Sequence, residues 1–366
     1  MLRIDRETVT SGVGFCGRSG DSKRVPHLAA SLFEELGPWQ PGASVGLGFS
    51  GGADSVFLAL AWKAFCARHP ALQGVTTQLW VVDHQHHARS GAAAQAAAAL
   101  AETLEVGEVQ ILAARDWAPP APAGDSEEAL RWVRYACFAA AAAESQAEVL
   151  LLGHQADDQA ETLMLRLLRG TGMFGLAGIP ARRLMQRGYR HAVQGSEDSE
   201  GVTEVRRPLL GLRRSEIRER LRAIGQAWMA DPSNDDPHYA ARNGVRLQAL
   251  PMLAEWSTGD PVRALLRLQR EADDWKRSEV EGVRELLHSG EWLEAAGPQR
   301  RRAVEIVLRQ AGYTTHPARV RDLEGALLRR GSAHIDARFR LTIAGGPLRL
   351  VPRRDAASSS PESPEA

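Results

Sequence analysis

The sequence predicts an α/β protein: a doubly wound, mainly parallel sheet followed by a smaller, mainly helical domain. Three observations carry that expectation. Short apolar runs at 43–49, 76–83, 108–113 and 148–153 alternate with helical stretches at 54–68, 88–105 and 126–145. The runs are apolar throughout rather than at every second residue, as in strands covered on both faces. From about Tyr239 to Arg330 the pattern turns helical, broken at Pro251, Gly259–Pro261 and Gly297–Pro298.

Taken in order, residues 1–25 are polar and glycine-containing, and are predicted to be poorly ordered. A helix opens at roughly His27–Leu36. Ser44-Val-Gly-Leu-Gly-Phe49 reads as a buried strand that breaks into Ser50-Gly51-Gly52-Ala53-Asp54-Ser55, and Val56 to Trp62 continues as an apolar helix. Thr76 to Asp83 is β-branched and apolar, a second strand. The helices at 88–105 and 126–145 are rich in alanine, the strongest helix former. Glu148 to Gly153 closes the set of strands. A polar loop, Gln194 to Gly201, precedes a helix at 213–224 and a turn cluster from Asp231 to Pro237. The expected domains are 26–256, carrying the sheet, and 257–354, mainly helical with a small hairpin in 335–352 around Gly345-Gly346. The Ser/Pro/Glu-rich tail, 355–366, is predicted to be disordered.

The chain has 366 residues, 44% hydrophobic and 25% charged, ample for two domains with real cores. Net charge is +0, so any basic surface for nucleic acid must be local. Only Lys23, Lys63 and Lys276 are lysines; the other cations are arginines. Cys16, Cys66 and Cys137 form no C-x-x-C pair, which fits a reducing compartment. No segment approaches the ~18 uninterrupted apolar residues of a membrane span, and the N-terminus lacks a signal-peptide core. A cytoplasmic protein without a membrane partner is expected.

A strand, a Gly-Gly turn flanked by hydroxyls and a helix start together present backbone N–H groups to an anion. The unsatisfied amides of the first helical turn and the helix dipole both favour negative charge there. Gly51 and Gly52 permit positive φ and close backbone approach. The plainer alternative is that Asp54 and Ser55 merely cap the helix. The whole Ser-Gly-Gly-x-Asp-Ser string is more specific than a glycine turn and predicts phosphate binding. A Walker loop would need G-x-x-x-x-G-K-[ST], and this loop is shorter and has no lysine.

In a doubly wound sheet, ligands lie beyond the carboxyl ends of the strands. Three polar clusters fall there: Ser50–Ser55, Asp83–His87 and His154–Glu161. Asp157 and Glu161 are i and i+4, Asp158 and Glu161 i and i+3, so acids gather on the first turns of one helix. Capping and dipole complementation explain one or two such acids. They explain less well four acid or imidazole groups where the sheet opens. Zinc is disfavoured, since H-E-x-x-H and cysteine ligands are missing.

The loop resembles the PP-loop of the N-type ATP pyrophosphatases, which implies adenylation, with AMP and pyrophosphate as products. The segments that follow narrow the likeness. Glu128-Ala-Leu-Arg131-x-x-Arg134-Tyr135, Gly153-His-Gln-Ala-Asp-Asp-Gln-Ala-Glu-Thr162, Leu168-Arg-Gly-Thr-Gly172 and Gly175-Leu-Ala-Gly178 resemble the tRNA(Ile)-lysidine synthetases. Arg207-Pro-Leu-Leu210, Asp231-Pro-Ser-Asn234 and Arg242-Asn-x-x-Arg246 follow in the same order, so the resemblance covers about residues 43–250. It departs at Asp83-His-Gln-His-His-Ala-Arg89, where that family has an Asn/Asp-His-Gly-Leu-type segment. His86 and His87 read there as solvated loop residues or a private nucleotide contact. The long form of the family carries a further C-terminal domain, for which this chain is too short.

The resemblance implies ATP and Mg²⁺ as cofactors. Ser50, Gly51, Gly52, Ala53, Asp54 and Ser55 would cradle the pyrophosphate, with Asp83 and His84 also on the nucleotide and Asp54 as the metal ligand. Arg131 and His154 would stabilise charge at the α-phosphate. Asp157, Asp158 and Glu161 would serve free L-lysine, whose amine, with an ordinary pKa of about 10.4, must lose a proton. Which acid binds the amine and which deprotonates it stays open. The implied partner is the isoleucine tRNA with a CAU anticodon, lysine being joined to C2 of its wobble cytidine after that base is adenylated. Arg207, Arg242 and Arg246, with Arg213 and Arg214, are candidates at the flipped base; Arg300–Arg302 and Arg319–Arg321 are candidates for phosphates in the helical domain. Solvated helix-face arginines are the plainer account of each. No stable protein partner is implied, and a homodimer stays open.

Two rivals remain. A tRNA thiolase of the same superfamily would use reactive cysteines, and none here is paired. A catalytically inactive ATP- or RNA-binding module would not need Ser50, Asp54, His154 and Asp157 intact. NAD, GMP and asparagine synthetases share the loop but lack the later segments.

Overall fold

Val45 and Leu47 fill one face of β1 (Ser44–Gly48), while on the other face Gly46 lies against the indole of Trp80, which occupies the space a Cβ would need. That close approach lets a fully buried tryptophan of β2 (Thr76–Asp83) lie beside the neighbouring strand. The computed structural model describes residues 32–85, 90–118, 127–186, 201–230, 236–237, 240–310, 313, 315–336, 339–343 and 348–352. Residues 1–25, the His86-His87 pair, most of the 194–201 loop, the Asp231-Pro-Ser-Asn234 turn, Gly345-Gly346 and the 355–366 tail lie outside them.

With β3 (Glu108–Ala113) and β4 (Val149–Leu151), the four anticipated strands form within two residues of their expected ends. The sheet order is β3-β2-β1-β4-β6-β5. All neighbouring pairs are parallel except the last, where β5 (Arg182–Gln186) runs antiparallel to β6 (Val202–Arg206). The sequence reading did not anticipate β5 and β6. Their residues, Arg-Arg-Leu-Met-Gln and Val-Thr-Glu-Val-Arg, carry charges at the edge of the sheet, so they show none of the continuous apolar character of the central strands.

Helices cover both faces. α1 (Ala53–Arg68), α2 (Ser90–Leu104) and α5 (Arg214–Ala223) share one core with Val45, Leu47, Leu79, Val81 and Leu151. α3 (Glu127–Glu144) packs Val133, Cys137 and Phe138 on the opposite face, against Trp80, Leu150 and Val205. The strand residues alternate between the two cores, as a period of two requires. From β1 the sheet grows outward through β2 to β3, then resumes on the other side of β1 with β4. The crevice at such a reversal lies at the carboxyl ends of β1 and β4. α4 (Ala156–Leu168) starts there, just beyond β4.

After α5 the chain turns through Ala241–Gly244 into a wide helical turn at Val245–Ala249, then α6 (Leu250–Trp256). Pro251 follows the wide turn; its ring crowds the preceding turn and it has no N–H to donate. Val245 and Leu250 pack with Ala156 and Ala160 of α4. The chain divides into two compact units that part between Arg270 and Glu271, within α7 (Pro261–Ser289). In the second unit α8 (Gly297–Gln310) and α9 (Pro317–Arg330) precede a small antiparallel sheet, β7 (Ser332–His334), β8 (Phe339–Thr342) and β9 (Arg349–Pro352). Among the described residues no helix is long and apolar enough to cross a membrane.

Candidate active site

The Ser50–Ser55 loop closes on itself through its hydroxyls. Ser55 Oγ donates to the Gly52 carbonyl at 2.9 Å, accepts from the Ser50 N–H at 3.2 Å and lies 3.3 Å from Ser50 Oγ. Gly51 has φ +75° and its carbonyl accepts from the Met229 N–H at 2.8 Å; a Cβ here would also strike the Met229 sulfur. Gly52, the N-cap of α1, has no side-chain cap, and the first helical bond runs from the Val56 N–H to its carbonyl at 3.0 Å. The N–H groups of Ala53, Asp54 and Ser55 thus precede any intrahelical acceptor, and they stand at the open end of the sheet.

Asp54 is on that first turn. Its Oδ1 is buried with no hydrogen-bond partner. Burial, then the neighbouring Asp158 carboxylate, push its pKa up to about 6 against the pull of Arg214 and Arg218. A lone buried carboxylate oxygen beside other acids fits a hard cation shared with phosphate oxygens, the usual Mg²⁺ arrangement. Among the described residues no three His, Cys, Asp or Glu side chains form a closed cation cage.

The acids of α4 separate into distinct roles. Asp158 completes a capping box: its Oδ2 accepts from the Gln155 N–H at 3.0 Å, while Gln155 Oε1 accepts from the Asp157 N–H. Capping therefore explains Asp158 in part, but not its neighbours. Asp157 is held by Arg213, which donates from Nη2 to Oδ1 at 2.9 Å and from Nε to both oxygens at 3.2 Å. The Arg214 N–H adds a bond to Oδ2 at 2.8 Å. Burial alone would raise the Asp157 pKa, but these bonds hold it below the usual carboxylate range.

Glu161 is fully buried and enclosed by arginines. Arg246 Nε donates to its Oε1 at 2.9 Å; Arg214 Nη2 lies 3.4 Å from Oε1 and Arg242 Nε 3.4 Å from Oε2. Burial and the nearby Asp158 raise its pKa against those three cations. The Arg242-Asn-x-x-Arg246 spacing puts both arginines one helical turn apart on the face toward Glu161. Asn243 locks the turn: its Nδ2 donates to the Asp236 carbonyl at 2.9 Å, and its Oδ1 accepts from Arg246 Nη2 at 3.1 Å.

A second cluster surrounds Tyr135 and is almost wholly cationic. Arg207 Nη2 donates to the Tyr135 hydroxyl at 3.1 Å and Nη1 to the Pro180 carbonyl at 2.7 Å. Arg131 and Arg183 lie 5.0 Å and 5.5 Å from the centre of the same ring. Burial would raise the Tyr135 pKa, yet the three cations bring it below the ordinary value. His154, just past β4, is half-buried, with its Nδ1 enclosed and making no hydrogen bond. Burial, and then Arg207, Arg131, Arg134 and Arg242, hold its pKa well below the usual histidine value. The imidazole is therefore neutral at ordinary pH, a hydrogen-bonding group among cations rather than another cation.

The structure thus brings His154, Asp157, Asp158 and Glu161 together beside the Ser50–Ser55 loop. Arg207, Arg213, Arg214, Arg242 and Arg246, the candidates at the flipped base, are turned inward onto tyrosine and carboxylates, and Arg207 is only 2% exposed. Asp83 accepts from the Gln85 N–H at 3.0 Å at the end of β2, with His84 beside it. In the second unit Arg300 and Arg301 share the buried Glu324 at 3.1 Å each, and Arg319 donates to the Ile335 carbonyl at 3.0 Å. Burial pushes the Cys66 and Cys137 thiols up to about 11 and about 12, so neither supplies a thiolate at ordinary pH. Sequence reading gave no role to Tyr135, Arg183 or Met229. Tyr135 was visible within the Arg131-to-Tyr135 motif; nothing local marked Arg183 or Met229.

A family model for the PP-loop domain matches residues 24–253. The tRNA(Ile)-lysidine synthase of Pseudomonas syringae pv. tomato is 37% identical over 235 residues, 62% of this chain and 45% of that protein. The Hyphomonas neptunium tRNA(Ile)-lysidine synthase is 32% identical over 328 residues, 87% of this chain and 81% of that protein. The one from Leifsonia xyli subsp. xyli is 36% identical over 287 residues, covering 74% and 77%. The chain spans about half the length of the Pseudomonas relatives it matches. Among solved structures, the U34-tRNA thiolase NcsA from Methanococcus maripaludis with its [4Fe-4S] cluster has a TM-score of 0.50 at 16% identity, covering 71% of this chain and 82% of that one. That likeness is one of fold.

Proposed function

The chain belongs to the tRNA(Ile)-lysidine synthase family of PP-loop proteins, and on that premise we propose that it joins free L-lysine to C2 of the wobble cytidine of a CAU-anticodon isoleucine tRNA. ATP is consumed and AMP and pyrophosphate are released. The observation that supports this most is the meeting of two parts at one crevice. The first-turn amides of α1, framed by the Ser50 and Ser55 hydroxyls, stand beside an acid-rich helix start that could receive an amine.

The C2 oxygen of cytosine is a poor leaving group, so adenylation must come before the amine can displace it. In this proposal the N–H groups of Ala53, Asp54 and Ser55 and the hydroxyl of Ser50 hold the pyrophosphate part of ATP, with Asp83 and His84 on the nucleotide. Mg²⁺, bound at the orphaned Asp54 oxygen, would supply charge against the phosphate oxygens. Arg131 stabilises charge developing on the α-phosphate, and the neutral His154 assists as a hydrogen-bonding partner. Asp157 takes the lysine ammonium, and Asp158 lies one residue along to accept a proton. Glu161, sealed by Arg214, Arg242 and Arg246, acts through those arginines by fixing them. The inward arginines leave backbone phosphates to the exposed cations of the second unit, Arg319 and Arg321 among them.

The test is ATP-dependent incorporation of radiolabelled lysine into a CAU-anticodon isoleucine tRNA transcript, against the same transcript with its wobble cytidine changed to uridine. Labelling that needs both ATP and the cytidine is expected. Pyrophosphate release with another nucleophile, and no lysine label, would overturn the substrate while keeping the PP-loop chemistry.

A further inference from the structure

One guanidinium joins two carboxylates from distant parts of the chain. Arg213 holds both oxygens of Asp157 with Nε and Nη2, and its remaining nitrogen, Nη1, pairs with Asp260. Asp260 immediately precedes Pro261, the first residue of α7, and its Oδ1 also accepts from the Val262 N–H at 2.9 Å. Arg213 itself stands just before α5, its N–H held by Glu216 Oε2 at 2.7 Å. With the Arg214 N–H on Oδ2, both oxygens of Asp157 are engaged.

An alkylammonium that seeks Asp157 therefore meets a cation already in place. Two features separate this pair from the sealed arginines around Glu161. First, it is open at its rim: the side chains of Arg213 and Asp157 are 22% and 15% exposed, against 0% for Glu161. Second, Arg213 has an alternative partner. If an ammonium takes over Asp157, the carboxylate stays paired, and the guanidinium keeps Asp260, itself 32% exposed. Neither charge is then stranded, which is the costly outcome for partly buried ions.

We infer that Arg213 is an internal counter-ion that competes with the amine substrate for Asp157, with Asp260 as the carboxylate to which it retreats. It is a positioning residue that sets affinity for the amine. The inference rests on the proposed meeting of the lysine ammonium with Asp157.

Two substitutions make opposite predictions. Arg213→Gln removes the competitor, so the KM for lysine, and its Kd by calorimetry, should fall by about tenfold, the scale of one charge-assisted hydrogen bond. Asp260→Asn removes the retreat, so both constants should rise by roughly three- to tenfold, with the KM for ATP unmoved. Arg213→Lys keeps the charge but loses the forked geometry that spans two carboxylates, and should fall between wild type and Arg213→Gln. It carries the test if the glutamine variant does not fold. A lysine KM that is unchanged or raised in the Arg213 variants, or that moves the same way in Asp260→Asn, overturns the inference and leaves Arg213 a structural staple. Absence of lysine incorporation by the wild-type chain would instead overturn the functional proposal itself.

Discussion

Arg246 Nε meets Glu161 Oε1 at 2.9 Å, and the carboxylate it meets has no exposure to water. A buried acid in such a cage is costly to remove because its cations are left behind. Glu161→Ala, which removes every acceptor for those arginines and leaves a cavity, should lower unfolding stability by about 3–5 kcal/mol. Urea denaturation at pH 7 measures this; a change below about 1 kcal/mol would show that the cage relaxes freely.

Asp157→Asn is expected to separate the two half-reactions. Adenylation, followed as tRNA-dependent ATP–pyrophosphate exchange, should persist better than lysine transfer, with a gap of about tenfold or more. Equal loss of both would make Asp157 a metal-binding or purely structural acid.

His154 gives the stability a pH dependence of defined sign. Its folded pKa lies well below the usual histidine value, so the unfolded chain binds a proton first as pH falls. Stability should therefore drop below the unfolded value of about 6.5, by up to about 1.4 kcal/mol per pH unit while the folded imidazole stays neutral. Above pH 7 the contribution vanishes. Thermal unfolding of wild type and His154→Gln between pH 5 and 8 checks this: the stability of wild type relative to the variant should fall with acid, a difference from which the opposite contribution of Asp54 cancels.

Gly51→Ala meets two obstacles, the φ of +75° and the Met229 sulfur. The loop should distort and ATP affinity should fall by about tenfold or more. Adding Met229→Ala opens the space but leaves the backbone cost of about 1–2 kcal/mol, so the double variant should recover affinity only in part. Full recovery would assign the whole defect to the sulfur contact. No recovery would assign it to the backbone alone.

Asp54→Asn removes a buried charge that has no hydrogen-bond partner on Oδ1 and lies beside Asp158. Without added nucleotide, its melting temperature should be equal to or above that of wild type. The Mg²⁺-dependent part of the stabilisation by ATP, the part EDTA abolishes, should be missing. Undiminished Mg²⁺ dependence in the variant would move the metal to another residue.

The central strands and the Ser50–Ser55 and His154–Glu161 clusters were legible because each is continuous in sequence: an apolar run, then a turn, then a helix start. The partners of those clusters were not. Arg213 lies 56 residues from Asp157 and Arg246 lies 85 from Glu161, so their pairing is decided by how α4, α5 and the Ala241–Gly244 turn pack. Local pattern suggested solvated or RNA-facing cations instead. Arg183 was hidden for another reason. It sits on β5, an edge strand that opens on two adjacent arginines and so reads as a loop, and only its antiparallel return against β6 brings it to Tyr135.

The arginine cage around Glu161 also bears on how such chains can be recombined. Residues 153–168, 213–214 and 240–246 each carry one side of the same charge balance. A chimera that takes α4 from one relative and the Arg242–Arg246 turn from another inherits a matched set only where both parents place acid and arginine alike. Crossover points chosen between the segments, without regard to the cage, would yield hybrids whose strands align and whose interior charges do not.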